Sequence, residues 1–182
     1  MEEFKKFSKI PRLSRDCIIT EKIDGTNAQI MVTEDGQVLA GCRTRWITPG
    51  KNTDNFGFAA WVETNKEELK QLGVGRHYGE WCGQGIQRNY GLKEKWFVLF
   101  NEPKHGERPA CIGLVPVLYT GPFCTVTIQN VLNKLVDNGS SLVPGFINPE
   151  GVIIYHAASG QRFKKTIAND TEYKGVKNET TK

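Results

Sequence analysis

Short runs of alternating apolar and polar residues fill the first quarter of the chain. A strand-like run at residues 17–20 leads into Glu21 and Lys22. A second run alternates Ala28, Ile30 and Val32, and a third covers residues 38–42. Period-two alternation marks a strand with one buried face. Asp24-Gly25 separates the first two runs, and Thr33-Glu34-Asp35-Gly36 separates the next two. Asp and Gly tolerate positive φ, so both read as tight turns, and the pattern predicts a three-stranded antiparallel meander.

The period then lengthens. Residues 54–72 read as helical in two pieces. The first ends at Trp61 and Val62; the second opens on the capping-box pattern Thr64-Asn65-Lys66-Glu67 and stops at Gly73. Residues 76–82, 96–100 and 110–119 read as strands. Within residues 125–138, Ile128, Val131, Leu132, Leu135 and Val136 recur at helical spacing, and Gly139 suits the end of that helix. Residues 151–155 and 160–165 predict a final strand pair, and the polar residues 171–182 a flexible tail. The expected product is one α+β domain over residues 1–182, built on antiparallel sheets flanked by helices.

Composition narrows the setting more than the chemistry. A chain of 182 residues buries enough surface to need no disulfide staples. Its formal net charge of +4 is compatible with a polyanionic partner and does not require one. Five cysteines, an odd number with no C-x-x-C spacing, argue against zinc knuckles and a disulfide framework; reduced thiols in a cytoplasmic protein are expected. The opening MEEFKKFSKIPRLSR has no apolar stretch of signal-peptide type, and no apolar run is long enough for a bilayer.

The candidate chemistry starts at Lys22. Lys-x-Asp-Gly alone is weak, since it arises by chance in roughly 4% of chains this long. Four other stretches join it. Glu80 is a carboxylate in the otherwise apolar "HYGEW". Phe100 ends the aromatic "KWFVLF". Glu150 heads the apolar run "EGVII". Lys164 and Lys165 end the last strand in "RFKKT". Together they make a kit for nucleotidyl transfer. A lysine attacks phosphorus only as a free amine, so it needs partial burial or neighbouring cations. Lys164 and Lys165 supply positive field for an α-phosphate. Glu150 suits a hard divalent cation, Glu80 suits ribose hydroxyls, and Phe100 offers a flat face to a base.

The order of these stretches resembles the covalent nucleotidyltransferases, the polynucleotide ligases and mRNA capping enzymes. Their first motif is similar to Lys22-Ile23-Asp24-Gly25, the next arginine to Arg43 in "GCRTRW", the third motif to Glu80 in "YGEWCGQGIQ", the aromatic motif to "WFVLF", the fourth to Glu150-Gly151-Val152 and the fifth to "RFKKT". Within that superfamily the chain most resembles the nick-sealing bacteriophage-type RNA ligases and small phage and bacterial relatives. "EKIDGTN" extends the first motif through Asn27, "GEWCGQGIQ" has their form of the third motif, and "FSKIPRL" looks like their lead-in.

The resemblance spans residues 4 to about 170. It implies an ATP-grasp-like nucleotidyltransferase (adenylation) domain, an ATP and Mg2+ (or Mn2+) requirement, and an RNA substrate such as a nicked duplex. It also implies roles. Lys22 would form lysyl-AMP and pass AMP to a 5′-phosphate for displacement by a 3′-hydroxyl. Glu21 and Ile23 would help frame the adenine, partly through backbone groups. Asn27, Arg43, Glu80 and Phe100 would bind the nucleotide. Glu150, Lys164 and Lys165 would manage the α-phosphate, with Glu150 the metal candidate.

Two departures stand out. The fifth motif usually has two lysines separated by one residue; here they are adjacent, and Arg162 is an alternative partner for Lys164. The short stretch after that motif predicts no OB-type domain, so a separate partner could take the place of a second domain. The rival readings are a minimal ATP-dependent DNA ligase and an inactive nucleic-acid-binding relative.

Overall fold

The computed structural model describes residues 2–168 and 170. The expected tail, residues 171–182, lies outside the described residues. Among the described residues, ten strands form two sheets. The smaller contains β1 (Asp16–Lys22), β8 (Val117–Pro122), β9 (Gly151–His156) and β10 (Gln161–Thr166), in the order β10-β9-β1-β8. The larger contains β2 (Thr26–Val32), β3 (Val38–Cys42), β4 (Trp46–Ile47), β5 (Gly75–Gly83), β6 (Lys95–Leu99) and β7 (Ile112–Leu114), in the order β4-β3-β2-β5-β6-β7. With helices α1 (Phe58–Leu69) and α2 (Thr125–Asn138), the architecture is α+β. No described helix is long and apolar enough to cross a membrane.

Each sheet is covered on one face. Ala28, Ile30 and Val32 of β2 pack with Phe58, Ala59, Val62 and Leu69 of α1. Cys17 and Ile19 of β1, with Val152 and Ile154 of β9, pack with Ile128, Val131, Leu132 and Leu135 of α2. Both clusters use the periodicities in the sequence, two for the strands and 3.6 for the helix. The opposite faces carry Thr20 and Lys22 in one sheet and Asn27, Gln29 and Glu80 in the other. A third cluster, with Ile23, Cys82, Tyr90, Val98 and Val115, joins the layers beside these residues.

The structure corrects four expectations. Asp24-Gly25 is not a hairpin turn, and β1 does not form a meander with β2 and β3. β1 pairs with β8 and β9, whereas β2 pairs with β3 and β5, so the chain changes sheets at residues 23–25. Gly25 is required by close approach rather than by positive φ: a Cβ there would sit 2.4 Å from the Trp81 carbonyl oxygen.

The expected break in the first helix is also absent, and α1 runs through Thr64. The Thr64 hydroxyl donates to the Ala60 carbonyl at 3.0 Å and the Asn65 amide to that of Trp61 at 2.7 Å, so both bond back into the preceding turn. The Asp54 carboxylate holds the helix start through the amides of Ala59 and Ala60.

Residues 110–119 are not one strand. They divide between β7 and β8, which lie in different sheets, with Pro116 in the crossing. Finally, β6 and β7 run parallel, so the larger sheet is mixed rather than wholly antiparallel.

Candidate nucleotidyl-transfer site

Lys22 ends β1, one residue before the chain leaves that sheet. Its Nζ is ion-paired with Glu150, the residue preceding β9, and both side chains are about four-fifths buried, at 22% and 18% exposed. The pairing follows from register, because Lys22 lies opposite Gly151. On β10, Thr166 faces the same glycine. Residues paired across a sheet share a face. Lys22, Gly151 and Thr166 therefore lie in one row, and Thr20, Ile153 and Lys164 in the next. Lys164 and Arg162 stand on the Lys22 face. Lys165 pairs with Val152 on the α2 side, and its ammonium contacts Asp170 at 3.3 Å. The adjacent lysines of "RFKKT" thus divide between the two faces.

The larger sheet supplies a polar relay. Asn27 and Glu80 are cross-strand neighbours. The Asn27 amide donates to Glu80 Oε2 at 3.2 Å, and Arg43 Nε donates to Asn27 Oδ1 at 2.9 Å. Arg43 thereby fixes which way the Asn27 amide points, and Asn27 orients the carboxylate. Glu80 is 8% exposed. Burial, the largest influence, pushes its carboxyl up to about 7; the nearby Lys22 charge opposes this and Glu150 reinforces it. Phe100 follows β6 on the Glu80 side of the sheet and packs beside the joining cluster that contains Ile23.

Glu21 does something the sequence does not suggest. It is 1% exposed and turned away from Lys22, as alternation requires. Its carboxylate accepts from the Ser140 hydroxyl at 2.6 Å and from the amides of Ser141 and Leu142 at 2.8 and 3.0 Å. It anchors the connection from α2 to β9, and its side chain is fully occupied there. Only its backbone remains for a nucleotide. Ile23 is buried among apolar side chains beside Phe100.

Sequence reasoning missed Arg88 and Tyr90. Arg88 Nε donates to Asp24 Oδ2 at 2.9 Å, and its guanidinium donates to Asn148 Oδ1 at 2.8 Å. The Asp24 amide donates to the Tyr90 hydroxyl at 2.9 Å. The available signal was "IQRNYG", an unpatterned polar stretch beside the third motif.

Comparison with known proteins bears on the family and the fold. The RNA ligase family profile matches residues 15–167. No curated protein matches the chain in sequence. The fold is similar to that of a Naegleria gruberi RNA ligase mutant with ATP and Mn, at TM-score 0.60 and 20% identity over 85% of this chain and 50% of that one. A second mutant of that ligase, with AMP and Mn, gives the same figures. An archaeal ATP-dependent RNA ligase matches at TM-score 0.59 and 16% identity, over 90% of this chain and 48% of that one. The chain spans about half the length of these structures. It belongs to the RNA ligase family.

Proposed function

We propose that this protein is an ATP-dependent RNA ligase that works through a lysyl-AMP intermediate. The observation carrying this reading is the position of Lys22. Its amine is ion-paired with Glu150 and near enough to Glu80 to act on that carboxyl, with Lys164 on the same sheet face. A solvated strand-end charge would have no such company. In the first step the free amine of Lys22 bonds the α-phosphorus of ATP through Nζ and gives up a proton to water, the bond to the β-phosphate oxygen breaks, and pyrophosphate leaves with that electron pair. Lys164 and Arg162 face the phosphates and steady their developing charge. Asn27, Arg43 and Glu80 hold the ribose side, and Phe100 stacks on the base. AMP then passes to a 5′-phosphate RNA end, and a 3′-hydroxyl displaces it. Positioning and charge stabilisation supply most of the acceleration.

Among the described residues, no group of three or more His, Cys, Asp or Glu is arranged to hold a metal ion by itself. The part-buried carboxylate of Glu150 fits Mg2+ or Mn2+ in the usual manner, one or two carboxylates with substrate phosphates completing the shell. Such an ion supplies charge neutralisation at the transferring phosphate. The two helix-covered sheets with the site between them support an ATP-grasp-like adenylation domain. A nicked RNA duplex is the proposed substrate, with a separate partner as a source of further grip. The free thiols of Cys17, Cys42, Cys82, Cys111 and Cys124 support a cytoplasmic setting.

The test is incubation with α-labelled ATP and separation on a denaturing gel. The wild-type chain should carry acid-labile AMP, and Lys22→Ala should carry none. Label retained by that variant would remove Lys22 from its role. Nicked duplexes with RNA or DNA at the 3′-hydroxyl side then separate RNA from DNA sealing, since only RNA offers the 2′-hydroxyl.

A further inference from the structure

The segment between β5 and β6 is strained where it meets the site. Gln87, Asn89 and Tyr90 have φ of 44°, 63° and 53°, so three of four consecutive non-glycine residues are left-handed. L-residues adopt that region at a cost and keep it only where the surroundings enforce it. Here the enforcement comes from Ile86 and Tyr90, which are buried at either end. The Asn89 amide also bonds the Ile86 carbonyl at 2.9 Å. The residue presented between the two anchors is Arg88.

Arg88 reaches two places distant in sequence. One is the Asp24 carboxylate, in the turn directly after Lys22. The other is Asn148, whose side-chain and backbone oxygens it contacts at 2.8 and 3.3 Å, two residues before Glu150. Tyr90 makes the same pair of connections. Its hydroxyl accepts the Asp24 amide, and its ring packs on Phe146 with centroids 4.6 Å apart. Residues 139–150 form no helix or strand, yet they must deliver Glu150 to Lys22. Glu21 holds the beginning of that connection; Arg88 holds its end.

We infer that Arg88 is a positioning residue that clasps the Lys22 turn to the loop carrying Glu150, and that the backbone strain around it is the cost of presenting it. The inference rests on the adenylyl-transfer reading of Lys22. Arg88 touches neither Lys22 nor Glu150. It acts through Asp24 and Asn148, and lysine does not replace it, because one ammonium cannot form the two-ended fork of a guanidinium.

Two measurements on the full chain test this. The first is the single-turnover rate of enzyme–AMP formation for Arg88→Ala, Arg88→Lys, Asn148→Ala and the double variant Arg88→Ala/Asn148→Ala. Loss of a charged hydrogen bond predicts a rate about 30-fold lower for Arg88→Ala, with the KM for ATP within about 3-fold. Arg88→Lys should recover only part of that loss. The double variant should be no slower than Arg88→Ala, since both changes break one clasp. The second is amide exchange. Protection of residues 144–150 should fall about 10-fold in Arg88→Ala and Asn148→Ala, while α2 is unchanged.

Full activity in Arg88→Ala, multiplying defects in the double variant, or unaltered exchange would each overturn the clasp. If Arg88→Ala fails to fold, Arg88→Lys and Asn148→Ala carry the test. The two readings also fail separately. A wild-type chain that takes no AMP defeats the ligase proposal, while the exchange arm still reports on Arg88.

Discussion

Glu80 gives the protein a pH-dependent stability that a single atom exchange should remove. Burial raises its folded-state carboxyl from 4.5 to about 7, despite Lys22 nearby and a hydrogen bond from the Gly25 amide. The unfolded chain has no such burial and titrates near the ordinary value. Between these two values the native state keeps a proton that the unfolded state has released, so stability falls as pH rises. The full displacement corresponds to about 3 kcal/mol, present below pH 4.5 and lost once pH has passed 7.

Glu80→Gln cannot ionise, and its carbonyl can still accept from Asn27 and Gly25. Urea denaturation of both proteins at pH 5, 6, 7 and 8 isolates the titration from any constant offset. The stability of the variant relative to wild type should grow across that range by about 2.5 kcal/mol. For a chain of this size that is roughly 5–10 °C in Tm. If Glu80 serves the ribose as proposed, the same variant should also lose most of its AMP labelling. Parallel stability profiles from pH 5 to pH 8 would refute the burial argument.

Two further outcomes follow from register and close packing. Lys164→Ala should slow enzyme–AMP formation about 100-fold, as loss of one oxyanion-type donor does. Lys165→Ala, on the opposite face beside Asp170, should stay within about 3-fold by the same argument; equal defects in single-turnover labelling would contradict the facing. Gly25→Ala should destabilise the fold by about 1–3 kcal/mol in urea titration, since its Cβ meets the Trp81 carbonyl at 2.4 Å. An unchanged midpoint would show that the sheets yield there.

The helix over residues 125–138 and the final strand pair were legible because each displays one clear period along a continuous stretch. The turn at residues 23–25 was not. Alternation identifies a strand and its buried face, but says nothing about which sheet the strand joins, and Asp-Gly suits a hairpin and a sheet crossing equally. The same blindness fused β7 with β8, whose apolar residues continue through Val115-Pro116 although the hydrogen bonding changes sheets. The capping-box pattern at Thr64 was outcompeted once packing of Phe58, Val62 and Leu69 on the larger sheet fixed one continuous helix.

At the candidate site, motif order singled out residues whose chemistry is written in their type: Lys22, Asn27, Arg43, Glu80, Glu150 and Lys164. It could not find Arg88 or Ser140. Their roles come from contacts made 64 and 119 residues away.

The sheet crossing also explains why the lysine stands where it does. The third cluster packs Ile23, from the crossing itself, with Cys82 and Val98 of the larger sheet and with Val115, at the second crossing. Asp24 is held by Tyr90 and Arg88, and Gly25 lies against Trp81. All three crossing residues are thus fixed, and Lys22 is the last residue of the smaller sheet before them. A residue earlier in β1 would lie too far from Glu80. A residue after the crossing would lose the strand neighbours that bring Glu150 and Lys164. Cross-strand from Lys22 stands Gly151, where a Cβ would sit 2.2 Å from the Lys165 carbonyl oxygen. Only a residue without a side chain lets β10 pass that close to the start of β9. The glycine after Glu150 thereby keeps the strand that carries Lys164 in register beside the strand that Glu150 precedes, and both beside Lys22.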